Sequence, residues 1–161
     1  DGDQGAIMQR VFTDSGNKLS AEKLVLDLRP VVEGNSKDNT LEGKDIGEKF
    51  YGKGGVDTIN GRGGNDLIDG GKGDDILIGG TSGDVFEFDL KTGNDTIKDF
   101  ADGEDLIFSD FITNQADFDD MVANHLTVKG NDLLIKYGDD TLLIKNMDEK
   151  DLDSSDFLFG I

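Results

Sequence analysis

Between Gly52 and Glu87 a large apolar side chain returns every nine residues, at Ile59, Ile68, Leu77 and Phe86. Each sits in a short strand signal: Thr58-Ile59, Leu67-Ile68, Ile76-Leu77-Ile78 and Val85-Phe86. The intervening positions are polar or glycine, and twelve of these 36 residues are glycine. Clustered glycines permit positive φ and tight turns, at an entropic cost that needs compensation. The pattern predicts a turn followed by a short strand, repeated four times without insertion. One such unit buries almost nothing alone. Stacked units bury the apolar ladder in a common core and pile the turns above one another. Gly, Asp and Asn also populate ordinary turns and flexible linkers, but a linker has no reason to hold apolar residues at a fixed period.

Two residues before each rung of the ladder stands an aspartate: Asp57, Asp66, Asp75 and Asp84. Stacked turns bring these carboxylates together with turn carbonyls. Several oxygen ligands converging in this way suit a hard cation, and Ca²⁺ in particular. The frame already runs upstream in degraded form. Gly34–Glu42 puts Asn39 and Leu41 at the aspartate and apolar places, and Gly43–Tyr51 puts Glu48 and Phe50 there. There the ladder is intact and the metal chemistry eroded, which predicts structural coils with weak or no metal. After Phe86 the frame slips. Phe88-Asp89-Leu90-Lys91 inserts, and Thr92-Gly93-Asn94-Asp95-Thr96-Ile97 then repeats the signature. Asp95 is therefore a candidate ligand of one further site.

The flanks carry other periods. Val11-Phe12-Thr13 reads as a strand and Asp14-Ser15-Gly16-Asn17 as a turn. Leu24–Leu28 is a strand or a short helix, stopped by Pro30. Thr113 to His125 predicts a helix capped by Thr113, with Phe118, Met121, Val122 and His125 on one face. Leu126–Lys129, Leu133–Tyr137 and Thr141–Lys145 read as strands, the last two joined at Gly138-Asp139-Asp140. Met147 to Leu152 suggests one helical turn, and the apolar end at Phe157-Leu158-Phe159 a frayed tail or a cap strand.

Composition narrows the function. Hydrophobic residues make up 35 % of 161, with one Pro and no Trp, thin for a globular core and ordinary for a solenoid. The formal net charge is −19, of which residues 88–161 carry −12 and residues 52–87 only −4. Such a surface repels nucleic acid and anionic membranes. It also repels itself, which bound Ca²⁺ would relieve; a solvated acidic surface is the alternative reading. With no Cys there is no disulfide or thiol chemistry. No run reaches transmembrane length and no N-terminal signal is present. The opening at Asp1 without Met reads as a piece of something longer. His125, the lone histidine, reads as packing or surface. There is no His-Glu-x-x-His, no Gly-x-Ser-x-Gly and no phosphate loop followed by Lys. In so acidic a chain carboxylate pairs at glycosidase spacing arise by accident. Catalysis is not expected here; an enzyme or adhesin would be upstream.

The four nine-residue lines match Gly-Gly-x-Gly-x-Asp-x-U-x, with U a large apolar residue. Gly70–Ile78 fits at every specified place, while others depart at the second place (Lys53, Arg62) or the fourth (Ser82). On these residues the chain resembles the RTX (hemolysin-type calcium-binding) family. The resemblance is strong over 52–87 and looser beyond 98. It implies an all-β fold, a right-handed parallel β-roll with two nonapeptides per turn and a mixed α/β C-terminal cap, so that six registers make about three coils. The expected organisation is an N-terminal cap or end of an upstream domain over 1–33, a roll over 34–98 and a cap over 99–161. Ions are implied between repeats two apart, pairing Asp57 with Asp75 and Asp66 with Asp84. Turn carbonyls of Gly55, Gly64, Gly71, Gly73 and Gly80 would complete the ligand sets. Asp99 to Ser109 resembles the segment that closes the roll, with Asp99, Asp102 and Asp105 read as a solvated turn rather than a shared ion site. The ending resembles an uncleaved type I secretion signal. The implied function is a module that folds on Ca²⁺ outside the cell and supports type I secretion and stability of a larger extracellular protein. Its partner would be the type I secretion machinery and its host a Gram-negative bacterium. The alternative is a calcium-dependent adhesin or a module binding polysaccharide or cell-surface glycan. The acidic tail argues against a polyanionic glycan unless Ca²⁺ bridges.

Overall fold

The computed structural model describes residues 28–159. The strand expected at Val11–Thr13, the turn at Asp14–Asn17 and most of the Leu24–Leu28 segment lie outside them.

Nine short strands run from one end of the roll to the other: β1 (Val31–Glu33), β2 (Thr40–Glu42), β3 (Lys49–Tyr51), β4 (Thr58–Asn60), β5 (Leu67–Asp69), β6 (Ile76–Ile78), β7 (Val85–Glu87), β8 (Asn94–Ile97) and β9 (Leu106–Phe108). Odd and even strands separate into two sheets, and within this array each strand pairs in parallel with the one two places on. The register follows the nine-residue period twice over: Phe50 faces Ile68, Ile68 faces Phe86, and Ile59 faces Leu77. In β3 to β7 the middle residue of each strand is buried between two half-buried neighbours. That is the alternation a pleated strand imposes. Phe50, Ile59, Ile68, Leu77, Phe86, Ile97 and Ile107 thus form one column of core between the sheets. The architecture is a parallel β-solenoid of about four turns. The first rung, β1, begins ahead of residue 34, and the last, β9, lies beyond residue 98.

The cap grows out of the same sheets. β10 (Leu126–Lys129), β11 (Asp132–Tyr137) and β12 (Asp140–Ile144) form an antiparallel meander. β12 lies parallel on β8, with Ile144 against Ile97. β13 (Phe157–Leu158) lies parallel on β9, so the apolar end is a cap strand. Helix α1 spans Gln115–Asp120 and runs on as a π-helical turn over Met121–His125. Its cap is Asn114 rather than Thr113. The Asn114 side chain accepts from the Ala116 and Asp117 amides, while Thr113 donates from its amide and hydroxyl to the Asp117 carboxylate. Phe118 and Met121 are buried, and Val122 and His125 only half-buried. One 3₁₀ turn, Glu149–Asp151, falls inside the expected Met147–Leu152.

Candidate metal centre

The turns stack in two rows. Those before β2, β4 and β6 carry Asn39, Asp57 and Asp75, and the row ends on Asp95 inside β8; those before β3, β5, β7 and β9 carry Glu48, Asp66, Asp84 and Asp105. In both rows each carboxylate reaches back one coil. Asp57 Oδ1 accepts from the Asn39 amide (2.6 Å), Asp75 Oδ1 from the Asp57 amide (2.7 Å), and Asp95 Oδ1 from the Asp75 amide (3.1 Å). In the other row Asp66 accepts from Glu48 (2.7 Å), Asp84 from Asp66 (2.9 Å) and Asp105 from Asp84 (2.9 Å). The structure therefore brings Asp57 beside Asp75 and Asp66 beside Asp84, as repeats two apart require. Gly55, Gly71 and Gly73 lie in turns of the first row, and Gly64 and Gly80 in turns of the second.

The second carboxylate oxygens separate the coils. Oδ2 of Asp57, Asp66, Asp75 and Asp84 is buried and has no hydrogen-bond partner. The end turns differ. Asn39 Oδ1 accepts from the Asn35 amide, Glu48 Oε2 from the Lys44 amide, and Asp105 Oδ2 from the Ala101 amide. The cause is backbone conformation at the second place of the turn. Lys53, Arg62, Gly71 and Gly80 all have positive φ, between 73° and 104°. Asn35 and Lys44 do not, and their amides turn in to the Asn39 carboxamide and the Glu48 carboxylate. The left-handed second residue turns its amide away and leaves the oxygen bare. The conformation persists where the glycine is lost, at Lys53 (φ 77°), Arg62 (φ 73°) and, at the fourth place, Ser82 (φ 82°). Elsewhere glycine is obligatory: a Cβ on Gly73, at φ 135°, would drive into the Gly55 carbonyl.

A buried carboxylate oxygen without a partner is costly. Burial pushes Asp57 above its ordinary range, Asp66 and Asp75 up to about 6 and Asp84 up to about 7, with neighbouring carboxylates adding to it. Burial likewise raises Asp95 to about 7. Bare, crowded oxygens and close turn carbonyls fit a hard divalent cation, which would supply the missing positive charge. Among the described residues no three His, Cys, Asp or Glu side chains converge as a metal cluster, so carbonyls must complete any site.

The family model for the RTX calcium-binding nonapeptide repeat, in four copies, matches residues 51–86. Residues 51–86 are RTX calcium-binding repeats. Such repeats bind Ca²⁺ in several sites. Comparison with curated proteins finds no match. Among solved structures, the chain is similar to the AlgE6R3 subunit of the Azotobacter vinelandii mannuronan C5-epimerase. The TM-score is 0.61 at 26 % identity, over 82 % of this chain and 83 % of that one. The AlgE6R2 subunit of the epimerase gives 0.59 at 26 % identity, over 81 % and 92 %. The extracellular lipase LipA of Serratia marcescens gives 0.66 at 21 % identity, a likeness of fold, over 81 % of this chain but only 21 % of the lipase.

Two residues beyond the matched repeats act outside the sequence reading. Asp105, read as part of a solvated turn, is buried and holds the last rung of its row, 21 residues after Asp84. Its signal was the apolar Leu106-Ile107-Phe108 that follows it, as Val85-Phe86 follows Asp84. Asp99 accepts from the amides of Gly79 and Gly80, pinning a middle turn, while Asp102 is exposed. His125 stacks on Tyr137 with ring centroids 3.8 Å apart, a packing role. Among the described residues no helix is long and apolar enough to cross a membrane.

Proposed function

We propose that this chain is a calcium-gated folding module that supports export and extracellular stability of a larger protein through type I secretion. The observation that carries the reading is the set of four buried, unpartnered Oδ2 atoms on Asp57, Asp66, Asp75 and Asp84. The ligands assigned are these four aspartates, the terminal carboxylate Asp95, and the turn carbonyls of Gly55, Gly64, Gly71, Gly73 and Gly80. In the unfolded chain these groups are scattered and like-charged, so little metal binds. Binding energy then appears as folding energy. Extracellular calcium sites have Kd of about 10⁻⁴–10⁻³ M, far above cytosolic free Ca²⁺, so the chain stays extended inside and folds outside. RTX-repeat proteins are typically extracellular, which agrees with this direction. The test is far-UV circular dichroism of chelator-stripped protein titrated with Ca²⁺, with Mg²⁺ as control. A cooperative coil-to-β transition with Ca²⁺ alone is expected. A spectrum already folded in chelator at neutral pH overturns the reading.

A second reading rests on the likeness to the AlgE6 subunits over most of both chains. Those belong to an enzyme named for mannuronan, and here the calcium-loaded module would contact a polysaccharide. Retention on a glycan array supports it; no retention leaves folding and export alone.

A further inference from the structure

Five buried side-chain oxygens lack a hydrogen-bond partner among the described residues. Four are the repeat carboxylates. The fifth is Oδ1 of Asp156, in the cap, where neither the repeat pattern nor the family match reaches. Asp156 is 1 % exposed. Its other oxygen has a structural duty: Oδ2 accepts from the Asp153 amide at 2.8 Å, one half of a capping box at the 3₁₀ turn Ser154–Asp156. Oδ1 has no such duty.

The charged groups that act on Asp156, Asp102 and Asp153, are both negative, while the amides of Asp153 and Gly103 favour its ionised carboxylate through hydrogen bonds. Asp153 commits Oδ1 to the Ser155 amide and hydroxyl. Asp102 is exposed, and beside it Gly103 has φ 76° with open space where a Cβ would point. The Asp102-Gly103 turn leads into β9, and Asp156 leads into β13, which pairs with β9 through Phe157 and Ile107. The bare oxygen thus sits where the last strand is fastened to the roll.

We propose that Asp156 Oδ1, with Asp102 from the facing turn, holds one further hard divalent cation of the Ca²⁺ type, which clamps β13 to the closing turn of the roll. Since no three carboxylates converge among the described residues, backbone carbonyls and water fill the remaining positions, as Ca²⁺ accepts. A carboxylate removed from water, bare at one oxygen and faced by two like charges, gains more from a cation than a solvated turn does. The site shares no residue with the repeat ligands and stands or falls apart from them.

The experiment counts ions by native mass spectrometry on the full chain at fixed free Ca²⁺, comparing wild type, Asp156→Asn, Asp102→Asn and Asp75→Asn. Asp156→Asn keeps the shape and the capping acceptor, and it is expected to bind one ion fewer. An unchanged count in folded Asp156→Asn overturns the proposal; the buried oxygen then carries a proton. If Asp156→Asn does not fold, the exposed Asp102→Asn decides: a higher Ca²⁺ midpoint for one ion supports the clamp, and wild-type loading overturns it. Asp75→Asn must lose an ion of its own whichever way the cap behaves, so failure of the repeat assignment shows separately.

Discussion

Asp75 and Asp105 both precede a strand of the roll, and each gives Oδ1 to the amide one coil back. They differ in the other oxygen: Asp75 Oδ2 is bare, while Asp105 Oδ2 takes the Ala101 amide. The same contrast holds at the opposite end, where Asn39 and Glu48 are satisfied by amides of their own turns. The middle turns of the roll therefore leave carboxylate oxygens bare, while Asn39, Glu48 and Asp105 at its ends are satisfied by amides. The teaching is that the ladder and the ligand set are separable. One is held by inward apolar residues, the other by a left-handed residue at the second place of the turn. Fixed positive charge also gathers at the upstream end: Lys53 pairs with Glu33 at 2.8 Å, Arg62 with Glu42 at 3.0 Å, and Arg29 donates to the Asn65 carbonyl.

The strongest way to break the contrast is through backbone. Gly73→Ala places a Cβ against the Gly55 carbonyl at a φ that L-residues avoid, and we expect a loss of roughly 3–5 kcal/mol from strain and overpacking together. Gly103→Ala has a similar sign of φ but open space, and should cost only about 1–2 kcal/mol. Equal losses in denaturant melts of the calcium-loaded forms would mean that the middle turns are not the tight ones.

Next comes the carboxylate itself. Asp75→Ala should raise the calcium midpoint for folding and remove an ion. Asp105→Asn should leave the number of ions unchanged, its cost confined to about 1–3 kcal/mol from weakened amide bonds. An unmoved midpoint in Asp75→Ala would sink the ligand assignment.

Proton and cation compete for the same bare oxygens. Asp66 and Asp75 are raised to about 6 and Asp84 to about 7, all by burial first. Their folded pKa values exceed the ordinary 3.8, so the metal-free fold holds more protons than the unfolded chain across that window. Its stability then falls as pH rises from about 4 to 7, and the penalty is complete above 7. In chelator the β signal should survive at pH 5 and be lost by pH 8; a signal that grows with pH refutes the burial of these groups.

The smallest effect sharpens the turn geometry. Ser82→Gly relieves a left-handed non-glycine residue at φ 82° and should stabilise by about 0.5–1 kcal/mol, read as a small rise in Tm at saturating Ca²⁺.

Much of this was legible because a nine-residue period survives in residue types. Glycine at turn starts, Asp before the strand and Ile, Leu or Phe inside it name the roll and the aspartates proposed as its ligands between Gly52 and Glu87. Legibility fails where spacing stretches. Asp95 and Asp105 hold their rows at 20 and 21 residues rather than 18, so a fixed frame finds the first only by its local signature and misreads the second. Thr113 and Asn114 are both good caps, and only side-chain geometry chose Asn114. Val31–Glu33 is a rung of the roll because β3 offers it an edge, not because its own residues announce a repeat.

The sequence alone determined the solenoid, its inward column and the four aspartates, because each rests on a local period that neighbouring coils merely copy. Only the tertiary structure decided which oxygens stay bare. That depends on where each turn directs its amides, on how deep each coil lies in the stack, and on which late segments return to cover the end. These are facts of backbone direction and burial, and Asp75, Asp105 and Asp156 are the same letter until the chain has folded around them.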